Sequence, residues 1–280
     1  MPDPDPSAHL SSAVPSSRHG ERLLDLVRVM ATLRGPGGCP WDHEQTHRTL
    51  GRHLLEEAHE ALEAIDAGDD DALRDELGDV LLQVVFHAQI AADEGSWDVD
   101  DVAEAIVAKL IRRHPHVFGD VEVSGAGEVL TNWEQIKAGE RAAAGHSDRR
   151  QRVDEDIPAT LPALARAGKV QRRAAGAGFD WRSADGAIGK LREELEELTA
   201  AVSDDAGPDA IGSELGDVLL AAVSVARRLD VDPEGALRRS TARFADRYEA
   251  MRDRAEDEGV DLAAMDDEEL LVYYRASRDR

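Results

Sequence analysis

Five acidic residues occur twice in this chain, in the same order and at nearly the same spacing. The first set is Glu56, Glu57 and Glu60 followed by Glu76 and Asp79; the second is Glu193, Glu194 and Glu197 followed by Glu214 and Asp217. On a helix, residues i and i+4 lie one above the other, so Glu56 and Glu60 share a face with Glu57 beside them. Glu76 and Asp79 are i, i+3 neighbours on the following segment. Two such helices joined by a short turn are antiparallel neighbours, which lets four or five carboxylates converge between them. Like charges that close repel unless a cation sits among them. Carboxylate oxygens without thiolates suit a hard ion, Mg²⁺ or Mn²⁺.

An acidic helix face is most often simply solvated, and three features speak against that here. The whole set recurs. Each second segment carries a glycine in its middle, Gly78 and Gly216, at a cost of about 1 kcal/mol relative to alanine in a helix. Close approach of another backbone or a ligand would account for that glycine. Finally, each set is followed by a basic stretch that can meet phosphates: Lys109, Arg112 and Arg113 in the first half, Arg243 and Arg247 in the second. A salt-bridge surface is the competing account of those cations. Lys169, Arg172 and Arg173 precede the second set, and Trp41 and Trp181 precede the two sets in turn. Either tryptophan could stack a base or fill a core.

The elements that position these residues read as helices. Aromatic residues are 4 % of the chain, and Ala, Leu, Glu and Arg dominate, a composition that favours helix. Apolar spacings of three and four predict helices near 20–34, 46–66, 70–94, 98–113, 128–144, 158–175, 184–203, 208–229, 233–257 and 266–278, and no strand. Asp232-Pro233 reads as a cap with proline at the first helical position, and Gly68-Asp69 and Gly207-Pro208 as turns. With Leu77 at the centre of a helical wheel, Leu73, Val80, Leu81 and Val84 fall within about 60° of it, the expected core stripe. Glu76 and Asp79 form its edge.

Glu56 to Glu193 spans 137 residues and Asp79 to Asp217 spans 138, so the chain reads as two diverged copies of one helical module. The expected organisation is a disordered tail over 1–19, a first module over 20–145, a linker over 146–157, a second module over 158–256 and a helical tail over 257–280. The 280 residues suit two domains of this size.

Bulk charge narrows the partners. Lys plus Arg is 33 against 58 Asp plus Glu, a formal net charge of −25. That argues against polymeric nucleic acid and against anionic membrane surfaces. A polyphosphate ligand is compatible if a metal supplies the missing charge. A single cysteine, Cys39, excludes a disulfide framework and suits a reducing compartment. No apolar run reaches the roughly 18 residues of a membrane helix, and the Pro- and Ser-rich N-terminus lacks a signal-peptide pattern. The expectation is a cytoplasmic protein. His43, His47 and His53 flank a predicted helix start and read as surface residues rather than a zinc site.

At the acidic sets the sequence resembles the MazG family of all-α nucleoside triphosphate pyrophosphohydrolases, in its long two-module bacterial form. Supporting segments are Gly38-Cys39-Pro40-Trp41-Asp42, His114-Pro115-His116-Val117-Phe118-Gly119, Asn132-Trp133-Glu134-Gln135-Ile136-Lys137 and Gly178-Phe179-Asp180-Trp181. The resemblance implies Mg²⁺-dependent hydrolysis of a nucleoside triphosphate to monophosphate and pyrophosphate, modules that dimerise, and clearance of unwanted nucleotides. It assigns as metal ligands Glu56, Glu57, Glu60, Glu76 and Asp79, and Glu193, Glu194, Glu197, Glu214 and Asp217. One departure stands out: Thr241 occupies a place where the family often has asparagine, and Arg243 a place where lysine is common.

The charges suggest a mechanism in which Mg²⁺ held by the acids draws charge from the phosphates and a spare carboxylate orients or deprotonates water. Lys109, Arg112, Arg113, Lys169, Arg172, Arg243 and Arg247 are the candidates for holding phosphates. The second module is expected to be the main catalyst, through Glu193, Glu197, Glu214 and Asp217. A module this small leaves an apolar stripe to cover. Pairing within the chain is one solution, and the resemblance favours a homodimer. Competing readings are a Nudix-type hydrolase, which lacks its glycine and its strands here, and a non-catalytic acidic interaction module.

Overall fold

The computed structural model describes residues 20–141 and 152–276. The tail expected over 1–19 and the first half of the expected linker lie outside the described residues. The chain divides into two compact units, Met1–Ala144 and Gly145–Arg280. Among the described residues every regular element is helical. No described helix is long and apolar enough to cross a membrane.

The first unit contains α1 (Glu21–Arg34), α2 (Pro40–Glu44), α3 (His47–Ala67), α4 (Asp70–Asp93), α5 (Val99–Arg113), α6 (Pro115–Phe118) and α7 (Ala126–Arg141). Its two long helices are fixed at their ends. Thr46 caps α3 through a reciprocal box with Thr49, and Gly68 stops it in the left-handed region at φ 69°. Asp69 then caps α4 by accepting from the backbone of Asp71 and Ala72. That two-residue turn makes α3 and α4 antiparallel. Met30, Leu50, Val85, Phe86 and Ile90 form the core, between α1, α3 and α4.

The second unit contains α8 (Ala163–Gly176), α9 (Ala184–Ser203), α10 (Pro208–Arg228), α11 (Pro233–Glu258), a 3₁₀ turn at Leu262–Ala264 and α12 (Asp267–Ala276). Pro208 and Pro233 both stand in the first turn of their helices, the latter behind an Asp232 cap. Here α9 and α10 repeat the antiparallel pair, with α8 against α10. Ala187, Ala221, Val223, Met251 and Ala255 are buried. Ile157 is buried too, and Arg173 bonds the carbonyls of Val153 and Glu155. The described end of the expected linker therefore packs onto this unit. The predicted helix at 158 begins only at Ala163, because Pro162 biases Leu161 away from helical torsions.

The wheel centred on Leu77 did not find the core. Leu77 is 51 % exposed, and Leu81 and Val84 are exposed as well. The second unit repeats this, with Leu215 and Leu219 each 48 % exposed. The buried residues of α4 lie instead in its C-terminal half, on every side of the helix: Gln83, Val85, Phe86, Ala88, Ile90 and Ala91. Nothing within 4 Å would meet a Cβ on Gly78 or Gly216. The close approach inferred for these glycines is thus absent among the described contacts. Each stands next in sequence to an exposed leucine, Leu77 or Leu215.

Candidate metal and nucleotide site

In the first unit α3 contributes Glu57 and α4 contributes Glu76 and Asp79. Carboxylate oxygens of the three lie within 4.8 Å of one another. Glu194 on α9 with Glu214 and Asp217 on α10 do the same in the second unit. Burial, then the charges of Asp79, Glu60 and Glu76, push the Glu57 carboxyl above its usual range. Burial followed by Glu60 and Asp79 does likewise for Glu76. The neighbouring carboxylates' share of both shifts, which comes after burial, is negative charge that a cation would relieve. Three hard oxygen donors without sulfur fit a divalent ion of the Mg²⁺ type.

The remaining four expected ligands sit around these triads rather than in them. Glu60 adds its charge to Glu57 and Glu76. Glu197 is hydrogen-bonded to Glu194, which pushes the Glu197 carboxyl up, while Lys190 holds Glu194 down. Glu56 turns to His53, at 3.1 Å, and Glu193 turns to Lys190, at 2.7 Å.

A cavity of about 480 Å³ opens beside the second triad. Lys190, Glu194, Asp217, Asp180 and Arg227 are among its polar lining; Val170, Ala174, Phe179, Trp181, Leu220 and Ala221 make its apolar wall. Asp180 joins that wall to α10 by ion pairs with Arg227 and Arg228. Arg227, and then Arg228, hold the Asp180 carboxyl below the usual range. Trp181 also packs close to Gly186 at the start of α9, where an added Cβ would meet its ring at 3.2 Å.

The basic residues are more dispersed than their spacing suggested. Arg112 and Arg113 both bind Glu140 of α7, at 2.7 and 2.6 Å, and Glu140 is pulled down to about 2. Lys109 is exposed on α5, and Lys169 and Arg172 are exposed on α8. Arg243 is exposed and Arg247 half-buried on α11. None of Lys169, Arg172, Arg243 and Arg247 lines the cavity. The Thr241 hydroxyl donates back to the Leu237 carbonyl within its own helix. Trp41 is exposed and meets His53 edge-on, with ring centroids 6.3 Å apart. The three early histidines go to different partners: His43 to the Arg34 carbonyl, His47 to His87 and His53 to Glu56.

Sequence reasoning missed Lys190 and the Asp180–Arg227 pair. The first was within reach, since Lys190 stands three and four residues before Glu193 and Glu194. The second joins residues 47 positions apart and left no local signal.

The fold and the two sites define a tandem all-α protein with one carboxylate triad per repeat. A family model described as the MazG nucleotide pyrophosphohydrolase domain matches residues 45–118 and 183–251, and each segment contains one triad. The chain is 43 % identical to the nucleoside triphosphate pyrophosphohydrolase/pyrophosphatase MazG of Thermotoga maritima, across 91 % of this chain and 94 % of that protein. It is 44 % identical to a nucleoside triphosphate pyrophosphohydrolase of Escherichia coli K12, across 86 % of this chain and 91 % of the relative. A Mycobacterium tuberculosis protein of the latter name is 46 % identical, over 61 % of this chain and 50 % of its own length. The chain belongs to the MazG family of nucleotide pyrophosphohydrolases.

Proposed function

We infer that this chain hydrolyses nucleoside triphosphates at the α–β phosphoanhydride, releasing monophosphate and pyrophosphate, with Mg²⁺ as cofactor and Mn²⁺ as a substitute. The observation that carries this reading is the second triad, whose Glu194 and Asp217 open onto a cavity with an aromatic and aliphatic wall. An apolar slot beside clustered carboxylates suits a ligand with a flat base at one end and charged phosphates at the other. The names of the relatives in Thermotoga maritima and Escherichia coli support the same substrate class.

Glu194, Glu214 and Asp217 would hold the ion in the second unit, and Glu57, Glu76 and Asp79 in the first. A bound divalent ion there supplies positive charge to the phosphate oxygens as the anhydride breaks. Glu197, whose proton affinity is raised by Glu194, is the carboxylate suited to take a proton from the attacking water. Trp181 and Phe179 receive the nucleoside, and the second unit is the main catalyst. We assign the protein a cytoplasmic role in clearing nucleotides from the pool, as a homodimer whose partner covers the exposed Leu77 and Leu215 stripes.

Pyrophosphate release from a nucleoside triphosphate, measured with Mg²⁺ and with chelator, tests the reading. Pyrophosphate should form only with the metal, and circular dichroism should be unchanged by chelation. Direct release of inorganic phosphate, leaving a diphosphate, would refute the α–β assignment. Full turnover in chelator would refute the metal assignment.

A further inference from the structure

Lys190 stands one helical turn before Glu194. Its Nζ lies 2.7 Å from Glu193 Oε1 and 2.8 Å from Glu194 Oε1. The Lys190 side chain is one-third exposed and that of Glu194 one-tenth. Lys190 also lines the cavity beside Glu194 and Asp217. In the first unit the matching position, 137 residues earlier, is His53, whose Nδ1 meets Glu56 Oε2 at 3.1 Å. Both repeats place a basic residue one turn ahead of the acids. Only in the second does an ion pair from that residue to the triad itself stand out, at Glu194.

An ammonium seated on a triad carboxylate opposes a second cation on the same oxygens. It also sits on a flexible four-carbon stem with three donors, and it lines the cavity beside the triad. We propose, resting on the metal-site reading above, that Lys190 is a displaceable counter-cation of the second site. It neutralises Glu193 and Glu194 while the triad holds no metal, and turns to a phosphate of the nucleotide once those carboxylates are occupied. Lys190 therefore weakens binding of a bare metal ion and strengthens binding of the nucleotide. The second triad favours metal and nucleotide together over metal alone, because only the pair gives the displaced ammonium a new partner.

The test uses the full-length chain carrying Glu57→Gln and Glu76→Gln, so that metal binding reports the second triad. Titration with Mn²⁺ alone, followed by calorimetry, should show affinity rising about three- to tenfold in Lys190→Met. Affinity for a non-hydrolysable α,β-methylene triphosphate, measured with saturating Mn²⁺, should fall about tenfold in the same variant. Lys190→Gln should give the same two shifts and Lys190→Arg neither. A purely structural lysine would weaken both ligands on removal. Mn²⁺ affinity that is unchanged or weaker in Lys190→Met overturns the proposal. Tighter Mn²⁺ with unchanged nucleotide affinity overturns its phosphate half. Adding Glu194→Gln and Glu214→Gln should abolish the remaining Mn²⁺ site. If it does not, the metal-site reading itself fails, an outcome separate from an unchanged affinity in Lys190→Met.

Discussion

Asp180 accepts a hydrogen bond from Arg227 Nη1 at 3.1 Å, tying the loop that carries Phe179 and Trp181 to the far end of α10. The same helix carries Glu214 and Asp217, so this ion pair links the aromatic loop to the helix that bears two of the triad carboxylates. Asp180→Asn keeps the shape and removes the charge. We expect a loss of about 1–2 kcal/mol, since the Asp180 and Arg227 side chains are only 23 % and 12 % exposed. KM should rise severalfold with a smaller change in kcat if, as proposed above, the loop holds substrate rather than the reacting atoms. The Asp180 carboxyl is held below its usual range. Its contribution is therefore complete above the ordinary aspartate range and is lost as pH falls through the folded-state value. Thermal melts of both proteins should show the gap narrowing as the buffer is acidified; a gap that widens would contradict this.

Glu140 clamps Arg112 and Arg113 between α7 and α5. The sequence offers these arginines either to phosphates or to a salt-bridge surface, and in the structure both pair with Glu140. Glu140→Gln should lower the stability of the first unit by about 1 kcal/mol, because the three side chains are partly solvated. Glu140 titrates at about 2 in the folded chain. The stabilisation should be fully present above the usual glutamate range and vanish as pH falls toward 2. Pyrophosphate release should stay near the parent rate, and a tenfold loss would restore the arginines to the catalytic account.

How much of this was legible in the sequence depended on how local each signal was. The ten longer helices were readable from apolar spacings of three and four, with turn or cap signals such as Gly68-Asp69, Gly207-Pro208 and Asp232-Pro233 at some of their ends. The carboxylate triads were readable because duplication marked Glu57, Glu76 and Asp79 apart from the many other acids. The wheel around Leu77 failed for a physical reason: periodicity shows that a face is apolar, not what covers it. The short α2 and α6 were missed because four or five residues carry no period. The Asp180–Arg227 pair, which shapes the cavity, depends on tertiary packing alone.

The uncovered stripe yields a prediction of its own. Leu77 and Leu81 flank Gly78, and Leu215 and Leu219 flank Gly216, all exposed within their units. A glycine between exposed leucines lets another helix approach closely, and apolar patches of this kind mark interfaces. Light scattering at micromolar concentration should give the mass of a dimer. Leu77→Asp combined with Leu215→Asp should shift it to the monomer with helix content retained. A parent chain that is already monomeric would rule out the homodimer.

The two triads should also differ in what they do, and paired variants can separate them. Glu57→Gln with Glu76→Gln, and Glu194→Gln with Glu214→Gln, each remove ligand charge at nearly constant volume. Turnover should fall at least a hundredfold in the second pair, whose triad adjoins the cavity, and less than tenfold in the first. The first pair carries an independent stability signature. Its two carboxyls are raised in the folded state by burial and by each other's neighbours. A carboxyl with a raised folded-state pKa costs stability above its unfolded value, and that cost disappears as pH falls. In chelator at neutral pH, replacing both with glutamine should therefore raise the melting temperature. With millimolar Mg²⁺ the order should reverse, because the parent gains binding energy that the variant has lost. A variant that melts below the parent in chelator would mean these carboxylates do not repel. Loss of turnover in the first pair with near-parent turnover in the second would place the main catalyst in the first unit.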